Sequence, residues 1–267
     1  SAIRLLVALD ENYLPQLQVL LTSISINSPQ DVGALYLMHS GIPAESLQRV
    51  EKQCSAFGCA LHPVPVSADF FQEAPVTKRD PQEMYYRLLA PHLLPEDLDR
   101  ILYLDPDILV INSLRPLWET DLKGCLFAAA SHTGLTEIAN DVNRIRLGTD
   151  SDYYNSGVLL MDLNACRKEI VPEEVFAFSA GHRVSLLLPD QDILNAMYGN
   201  RILPLDDAVW NYDARNFNSY RLRSSGKADA DWVIDNTTIL HFCGRAKPWK
   251  PGYPYRFGIL YKHYARL

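Results

Sequence analysis

Residues 101–110 read ILYLDPDILV, an apolar, strand-like run broken by two carboxylates. Burying Asp105 and Asp107 at the end of a central strand without counter-charge costs several kcal/mol apiece, so a cation, a basic partner or water has to compensate. Side chains two apart in an extended segment point to the same side, which lets both acids reach one metal ion. Pro106 lacks an amide donor and holds the residue before it extended, so the pair belongs at a strand end or bulge and not in mid-sheet. A pair of surface turn aspartates has the same spelling; only a partner elsewhere in the chain separates the two readings.

Working back toward the N-terminus, Ile3 to Leu9 is an apolar run stopped by Asp10, Glu11 and Asn12, and Leu14, Leu17, Leu20, Leu21 and Ile24 then recur at helical spacing. Leu35 to His39 predicts a second strand, Ala44 to Phe57 a helix ended by Gly58, and Ala60 to Val66 a third strand. Such alternation predicts an α/β chain with a mainly parallel sheet, whose ligands sit beyond the carboxyl ends of the strands, where Asp10 to Tyr13 fall. Asp10 and Asn12 are open to two readings, helix capping and contact with a nucleotide base or ribose. Ser67 to Pro81 reads as a long loop and Gln82 to His92 as a helix. Arg87 within that helix is either a surface charge or a partner for an acid in the sheet.

Toward the C-terminus, Ser113 is placed to cap a short helix carrying Leu117 and Trp118, and Leu126 to Ala130 continues the sheet. Ser131 to Ser151 is polar and weakly helical in pattern. DYYNSGVLLMDL (152–163) brings Asn155, Ser156 and Gly157 to the start of a buried strand, and the glycine lets another group approach the backbone. PDQDILN (189–195) crowds Asp190, Gln191 and Asp192 into the start of a helix, and capping accounts for one of the two acids more readily than for both. Trp210 to Tyr220 reads as an aromatic loop. A last strand, Thr238 to Phe242, closes with CGRAKPW, so His241 precedes a turn at Gly244 with Lys247 beyond it. A neutral imidazole suits Mn²⁺- or Zn²⁺-class ions, a lysine suits phosphate, and a buried histidine with a satisfied ring fits the same position.

The bulk numbers narrow the class. With 267 residues and 48% hydrophobic content the chain can bury a substantial core, while 25 Lys+Arg against 32 Asp+Glu, a net charge of -7 with no basic run, argues against a nucleic-acid partner. No apolar stretch approaches the ~20 residues that span a bilayer. The chain opens on a strand rather than a signal-peptide pattern, so a cytoplasmic protein is expected. The five cysteines are scattered without a Cys-x-x-Cys pair, which suggests reduced thiols and neither a disulfide framework nor structural zinc.

Taken together, LDENY, YYRL, LYLDPDILV, PLWETDL, YYNSGVLLMDL, PDQDILN and LHFCGRAKPW resemble, in order and approximate spacing, the family 8 retaining glycosyltransferases, nearest to the bacterial lipopolysaccharide α-galactosyltransferases. The resemblance runs from Ile3 to about Trp249. It implies a GT-A fold: a Rossmann-like, mixed and mainly parallel central sheet with helices on both faces, in one domain over 1–267. Residues 1–110 would be the nucleotide-binding half, 111–250 the half for metal, donor sugar and acceptor, and 251–267 a C-terminal helix. It further implies transfer of galactose or glucose from a UDP-sugar, with Mn²⁺ or another divalent cation, to a saccharide or glycoconjugate acceptor of the cell envelope, such as lipopolysaccharide.

By the same resemblance Asp105, Asp107 and His241 hold the metal, and Asp10, Asn12 and Tyr13 the uridine. Gly244 and Lys247 hold the diphosphate, and Arg87, Asn155, Asp190 and Gln191 the donor sugar, with Gln191 beneath the anomeric carbon. Asp190 and Gln191 are thus the catalytic candidates. Two departures stand out. Ser131 to Ser151 matches no acceptor-binding pattern, and in place of the basic, aromatic tail that attaches many relatives to the membrane there is only YKHYARL. Peripheral association with the inner face of the membrane is therefore expected to be weak, or the tail to be truncated. Two other classes remain open: a nucleotidyltransferase, although no glycine-rich phosphate loop follows the first strand, and a non-catalytic sugar-nucleotide or glycan-binding protein.

Overall fold

The structure, a computed structural model, describes residues 1–72, 74, 82–132, 143, 147, 152–182 and 186–267. Strands β1 (Ile3–Ala8), β2 (Val32–His39), β3 (Ala60–Pro65), β4 (Arg100–Leu104), β6 (Phe127–Ala130), β7 (Val158–Asp162) and β8 (Ile202–Leu205) form a seven-stranded sheet in the order β3-β2-β1-β4-β7-β6-β8. β7 alone runs against its neighbours β4 and β6; the other pairs are parallel.

Apart from its edge strands β3 and β8 the sheet is buried on both faces, and the strand residues alternate between two cores as the two-residue period requires. Leu5, Val7, Leu102, Leu104 and Leu160 face helices α1 (Leu14–Asn27) and α2 (Ala44–Ser55) through Leu17, Leu20, Leu21 and Val50. Leu6, Ile101, Tyr103, Leu159 and Met161 face the other way, onto α3 (Tyr86–Leu93) and the Leu163–Glu169 and Pro189–Tyr198 helices. Each fully buried leucine stabilises the fold by roughly 1.5–3 kcal/mol relative to an exposed one.

The opening stretch is not one strand. β4 ends at Leu104, and β5 (Ile108–Val110) pairs antiparallel with β10 (Ile239–His241) in a second, three-stranded sheet of order β5-β10-β9, with β9 at Tyr212–Asp213. That sheet has its own core around Leu109, Tyr212, Tyr220, Leu240, Phe242 and Tyr261. Asp105-Pro106-Asp107 is the bridge between the sheets, at a strand end as the proline predicts.

Other expectations need adjustment. Trp210 to Tyr220, read as a loop, contains β9 and runs into the Phe217–Arg223 helix, and the Ala230–Asn236 helix carried no periodic signal. The first turn of the Gln82 to His92 segment is a 3-10 turn, Gln82–Tyr85, with α3 following. The last helix spans Gly258–Ala265 because Pro251, Gly252 at φ +79 and Pro254 hold the preceding residues in turns. Residues 75–81 of the long loop, and most of Ser131 to Ser151, lie outside the described residues. No helix among the described residues is long and apolar enough to cross a membrane.

Candidate active site

The register of the small sheet brings the two ends of the chain together. Ile108 pairs with His241, and Phe242 N–H donates to the carbonyl of Asp107 at 3.0 Å, so His241 is set beside the acid that leads into β5. On the other side Asp105 N–H donates to the Gly157 carbonyl at 2.8 Å, tying the bridge to the start of β7. Because β7 is antiparallel, its N-terminal residues lie at the carboxyl end of β4. His241 Nε2 is then 3.1 Å from Asp107 Oδ1 and 3.6 Å from Asp105 Oδ2.

Whether these groups suit a divalent ion can be judged from their geometry. One ligand atom from each of Asp105, Asp107 and His241 lies within 4.8 Å of the others. Asp107 Oδ1 is buried with no hydrogen bond of good geometry made to it, and the His241 ring nitrogen lies 3.1 Å away. An orphaned carboxylate oxygen beside an imidazole and a second carboxylate has the donor chemistry of an Mn²⁺-class site. Gly157 keeps the space open: a Cβ there would fall 2.4 Å from His241 Cε1 and 2.6 Å from Asp105 Oδ2. Gly157→Ala is therefore expected to displace both ligands at an overpacking cost of about 1–3 kcal/mol, and to weaken Mn²⁺ binding by about tenfold or more in a calorimetric titration. Unchanged affinity would show that the close approach is not needed.

Electrostatically the two acids differ. Burial pushes the Asp105 carboxyl up, and Arg87 only partly offsets it, so it stays above the ordinary carboxylate value. Burial would also raise Asp107, but His241 and Lys247 outweigh it and hold that carboxyl well below the usual range. Lys247 Nζ donates to Asp107 Oδ2 at 2.7 Å and to the Phe242 carbonyl at 2.9 Å. The lysine expected on a phosphate is thus held against Asp107, one of the candidate metal ligands.

Arg87 is the hub of the opposite wall. Its Nη2 lies 3.2 Å from Asp105 Oδ1 and 3.1 Å from Asp190 Oδ2, and its Nη1 donates at 2.9 Å to both the carbonyl and the hydroxyl of Ser156. The guanidinium lies over the Tyr103 ring at 4.7 Å, and Tyr103 Oη donates to Asp105 Oδ1 at 2.7 Å. Of its two readings, Arg87 takes the partner for an acid. PDQDILN resolves similarly. Asp192 accepts from Leu187 N–H at 2.8 Å and Leu188 N–H at 3.1 Å, reaching back from inside the helix to tie down the residues that lead into it, while Asp190 faces Arg87. Gln191 Oε1 accepts from Ser156 N–H at 3.0 Å.

Asp10, Tyr13, Arg87, Asp105, Asp107 and Asp190 line one cavity of about 360 Å³. Asp10 caps the short turn after β1, accepting from Asn12 N–H at 2.9 Å, which is the capping reading, and it does so on the wall of the cavity. Asn155, Gln191 and His241 stand behind this wall, joined to it through Gly157, Ser156 and Asp107. Asn12 and Gly244 do not line the cavity; Gly244, at φ +88, packs where a Cβ would meet Arg215 Nη1 at 2.4 Å. Tyr103, Asn211 and Arg215 carry no signal in the sequence that marks them for the site. A second convergence, of His132, Asp213 and Cys243, is already neutralised, because Arg215 pairs with Asp213 at 2.8 Å.

A family model described as Glycosyl transferase family 8 matches residues 4–251. General stress protein A of Bacillus subtilis is 28% identical over 263 residues, 96% of this chain and 90% of that protein. Lipopolysaccharide 1,2-glucosyltransferase of Escherichia coli is 24% identical over 90% of this chain and 71% of its own. The solved galactosyltransferase LgtC in complex with donor and acceptor sugar analogs superimposes with a TM-score of 0.82 over 99% of this chain and 95% of that one, at 23% identity.

Proposed function

The chain belongs to glycosyltransferase family 8, and we propose that it is a retaining hexosyltransferase that moves galactose or glucose from a UDP-sugar to a saccharide or glycoconjugate of the cell envelope, with Mn²⁺ bound. Its mixed, mainly parallel sheet is the GT-A fold. The observation that carries the reading is the convergence of Asp105, Asp107 and His241, with the two acids on the wall of a cavity that also receives Asp10, Tyr13 and Asp190 and the imidazole behind them. In this reading residues 1–110 form the nucleotide-binding half of a single domain, and 111–250 supply His241, the donor-sugar contacts and the acceptor side. The acceptor class follows the Escherichia coli relative, which is named for lipopolysaccharide. In this reading the protein acts in the cytoplasm, with peripheral association at the inner face of the membrane as part of the same proposal.

The hard step is departure of UDP from the anomeric carbon, which builds negative charge on the diphosphate. A divalent ion held by Asp105, Asp107 and His241 supplies Lewis-acid stabilisation of that charge. The chain's own contribution begins with Asp10, Asn12 and Tyr13 on the uridine. The Lys247 ammonium, positioned by Asp107, then faces the diphosphate beside Gly244 and favours its developing charge. Arg87 holds Asp190 and the Ser156 backbone in place around the donor sugar, with Asn155 behind them. Both Asp190 oxygens are engaged, Oδ1 by Gln191 N–H at 2.9 Å and Oδ2 by Arg87 at 3.1 Å, which weakens Asp190 as a nucleophile. Retention then favours attack by the acceptor on the face that UDP leaves, with Gln191 beneath the anomeric carbon.

The test is UDP release from UDP-galactose and UDP-glucose with and without Mn²⁺. One donor is expected to give ion-dependent release. No release from either, together with no Mn²⁺-dependent UDP binding, overturns the reading. Diphosphate release from a nucleoside triphosphate would point to nucleotidyl transfer instead, and UDP binding without turnover across a broad acceptor panel to a binding protein.

A further inference from the structure

We infer that Asn211 is the positioning residue of the metal site: by accepting from Nδ1 of His241 it keeps hydrogen on that nitrogen and makes Nε2 the one that an ion shared with Asp105 and Asp107 would take. This deepens the proposed function and rests on it for the presence of the ion.

The assignment can be built from donors whose identity is not in question. Gly157 N–H is a backbone donor, and it lies 2.9 Å from the side-chain atom of Asn155 that it meets, which must therefore be the carbonyl Oδ1. Asn211 presents a side-chain atom to the same Oδ1 at 3.0 Å, and against an acceptor that atom must be the NH₂ group. The other end of the Asn211 amide is then an oxygen. It faces His241 Nδ1 at 2.9 Å, so Nδ1 carries hydrogen. With its proton held there, the neutral ring has only Nε2 to offer, and Nε2 is the atom 3.1 Å from the orphaned Asp107 Oδ1.

Asn211 is itself held firmly. It is fully buried. Its backbone carbonyl accepts from His132 Nε2 at 2.8 Å, and its N–H donates to the Asp207 carbonyl at 3.0 Å. It sits immediately before β9, which pairs with β10, so the same small sheet that presents His241 also presents the group that orients it. A hydrogen-bonded partner on the far ring nitrogen sets tautomer and ring plane, and removing such a partner typically weakens metal binding about 10- to 100-fold.

The test uses the whole protein labelled with ¹⁵N-histidine, with the His241 signal assigned by its loss in His241→Gln. In the complex with UDP and diamagnetic Mg²⁺ the ring is expected to be protonated on Nδ1. Asn211→Leu, close in size and unable to accept, is expected to lose that preference and to bind Mn²⁺ about 10- to 100-fold more weakly by calorimetry. Asn211→Asp, which still accepts from Nδ1, should retain the Nδ1–H signature and hold Mn²⁺ more tightly than the leucine variant. A merely structural residue would affect melting temperature in both variants and leave the tautomer alone. Wild-type His241 protonated on Nε2 in the complex overturns the inference whatever the variants do, including if Asn211→Leu does not fold, and so does wild-type Mn²⁺ affinity in Asn211→Leu. Wild-type protein that binds no divalent ion overturns the metal reading, and the inference with it.

Discussion

Asp107→Asn is expected to reduce Mn²⁺-dependent UDP release on the order of 10³-fold, the upper end of what removing one preorganised electrostatic contact costs. The substitution keeps shape and volume but deletes the anionic charge of the acid placed nearest both His241 Nε2, at 3.1 Å, and Lys247 Nζ, at 2.7 Å. The fold should tolerate it, because two effects oppose each other. Lys247 loses its ion pair and keeps the Phe242 carbonyl as acceptor, while Asp105 is relieved of a like charge that raises its carboxyl. A melting temperature close to wild type together with lost Mn²⁺ affinity is the expected pair of results. Turnover within a few-fold of wild type would remove Asp107 from the metal site.

That experiment also separates what the sequence could and could not convey about this bridge. Pro106 announced a strand end, and the spacing of Asp105 and Asp107 announced a shared direction. Nothing local announced that Ile108 to Val110 leaves the large sheet. Both halves of the stretch are equally apolar, and the choice of partner is made by Ile239–His241, some 130 residues away, through backbone pairing that periodicity does not encode. β9 and the two helices after it were invisible for a related reason: Tyr212, Phe217 and Tyr220 are core residues of a small sheet, but over so short a stretch they show neither a helical nor an alternating period. The acids of PDQDILN are chemically alike. Only Arg87, reaching across from α3, distinguishes Asp190 from Asp192, which binds the amides ahead of the helix. Asn211 carried no signal at all, since an asparagine in an aromatic loop is ordinary and its importance lies entirely in two partners from other segments, Asn155 and His241.

Arg87 carries the other large expected effect. Its guanidinium serves four acceptors at once: Asp105, Asp190, and the Ser156 carbonyl and hydroxyl. With 17% of the side chain exposed, little water is available to replace it. Arg87→Met is therefore expected to cost about 3 kcal/mol of stability, as breaking a buried charge pair leaves the surviving acids uncompensated. Arg87→Lys should not rescue activity, because a single ammonium lacks the planar fork that reaches Asp105 and Asp190 from one nitrogen and Ser156 from another. The pH dependence follows from the direction of the Asp105 shift. Burial already raises that carboxyl and Arg87 is the largest opposing influence, so without the arginine it rises further. A divalent ion must then displace a proton from Asp105, and the pH of half-maximal Mn²⁺ binding should move upward in Arg87→Met. Denaturant unfolding gives the stability term, and calorimetric Mn²⁺ titrations between pH 5 and 8 give the shift. A midpoint that stays in place while stability falls would mean that Arg87 supports the wall of the cavity without setting the charge of the metal site.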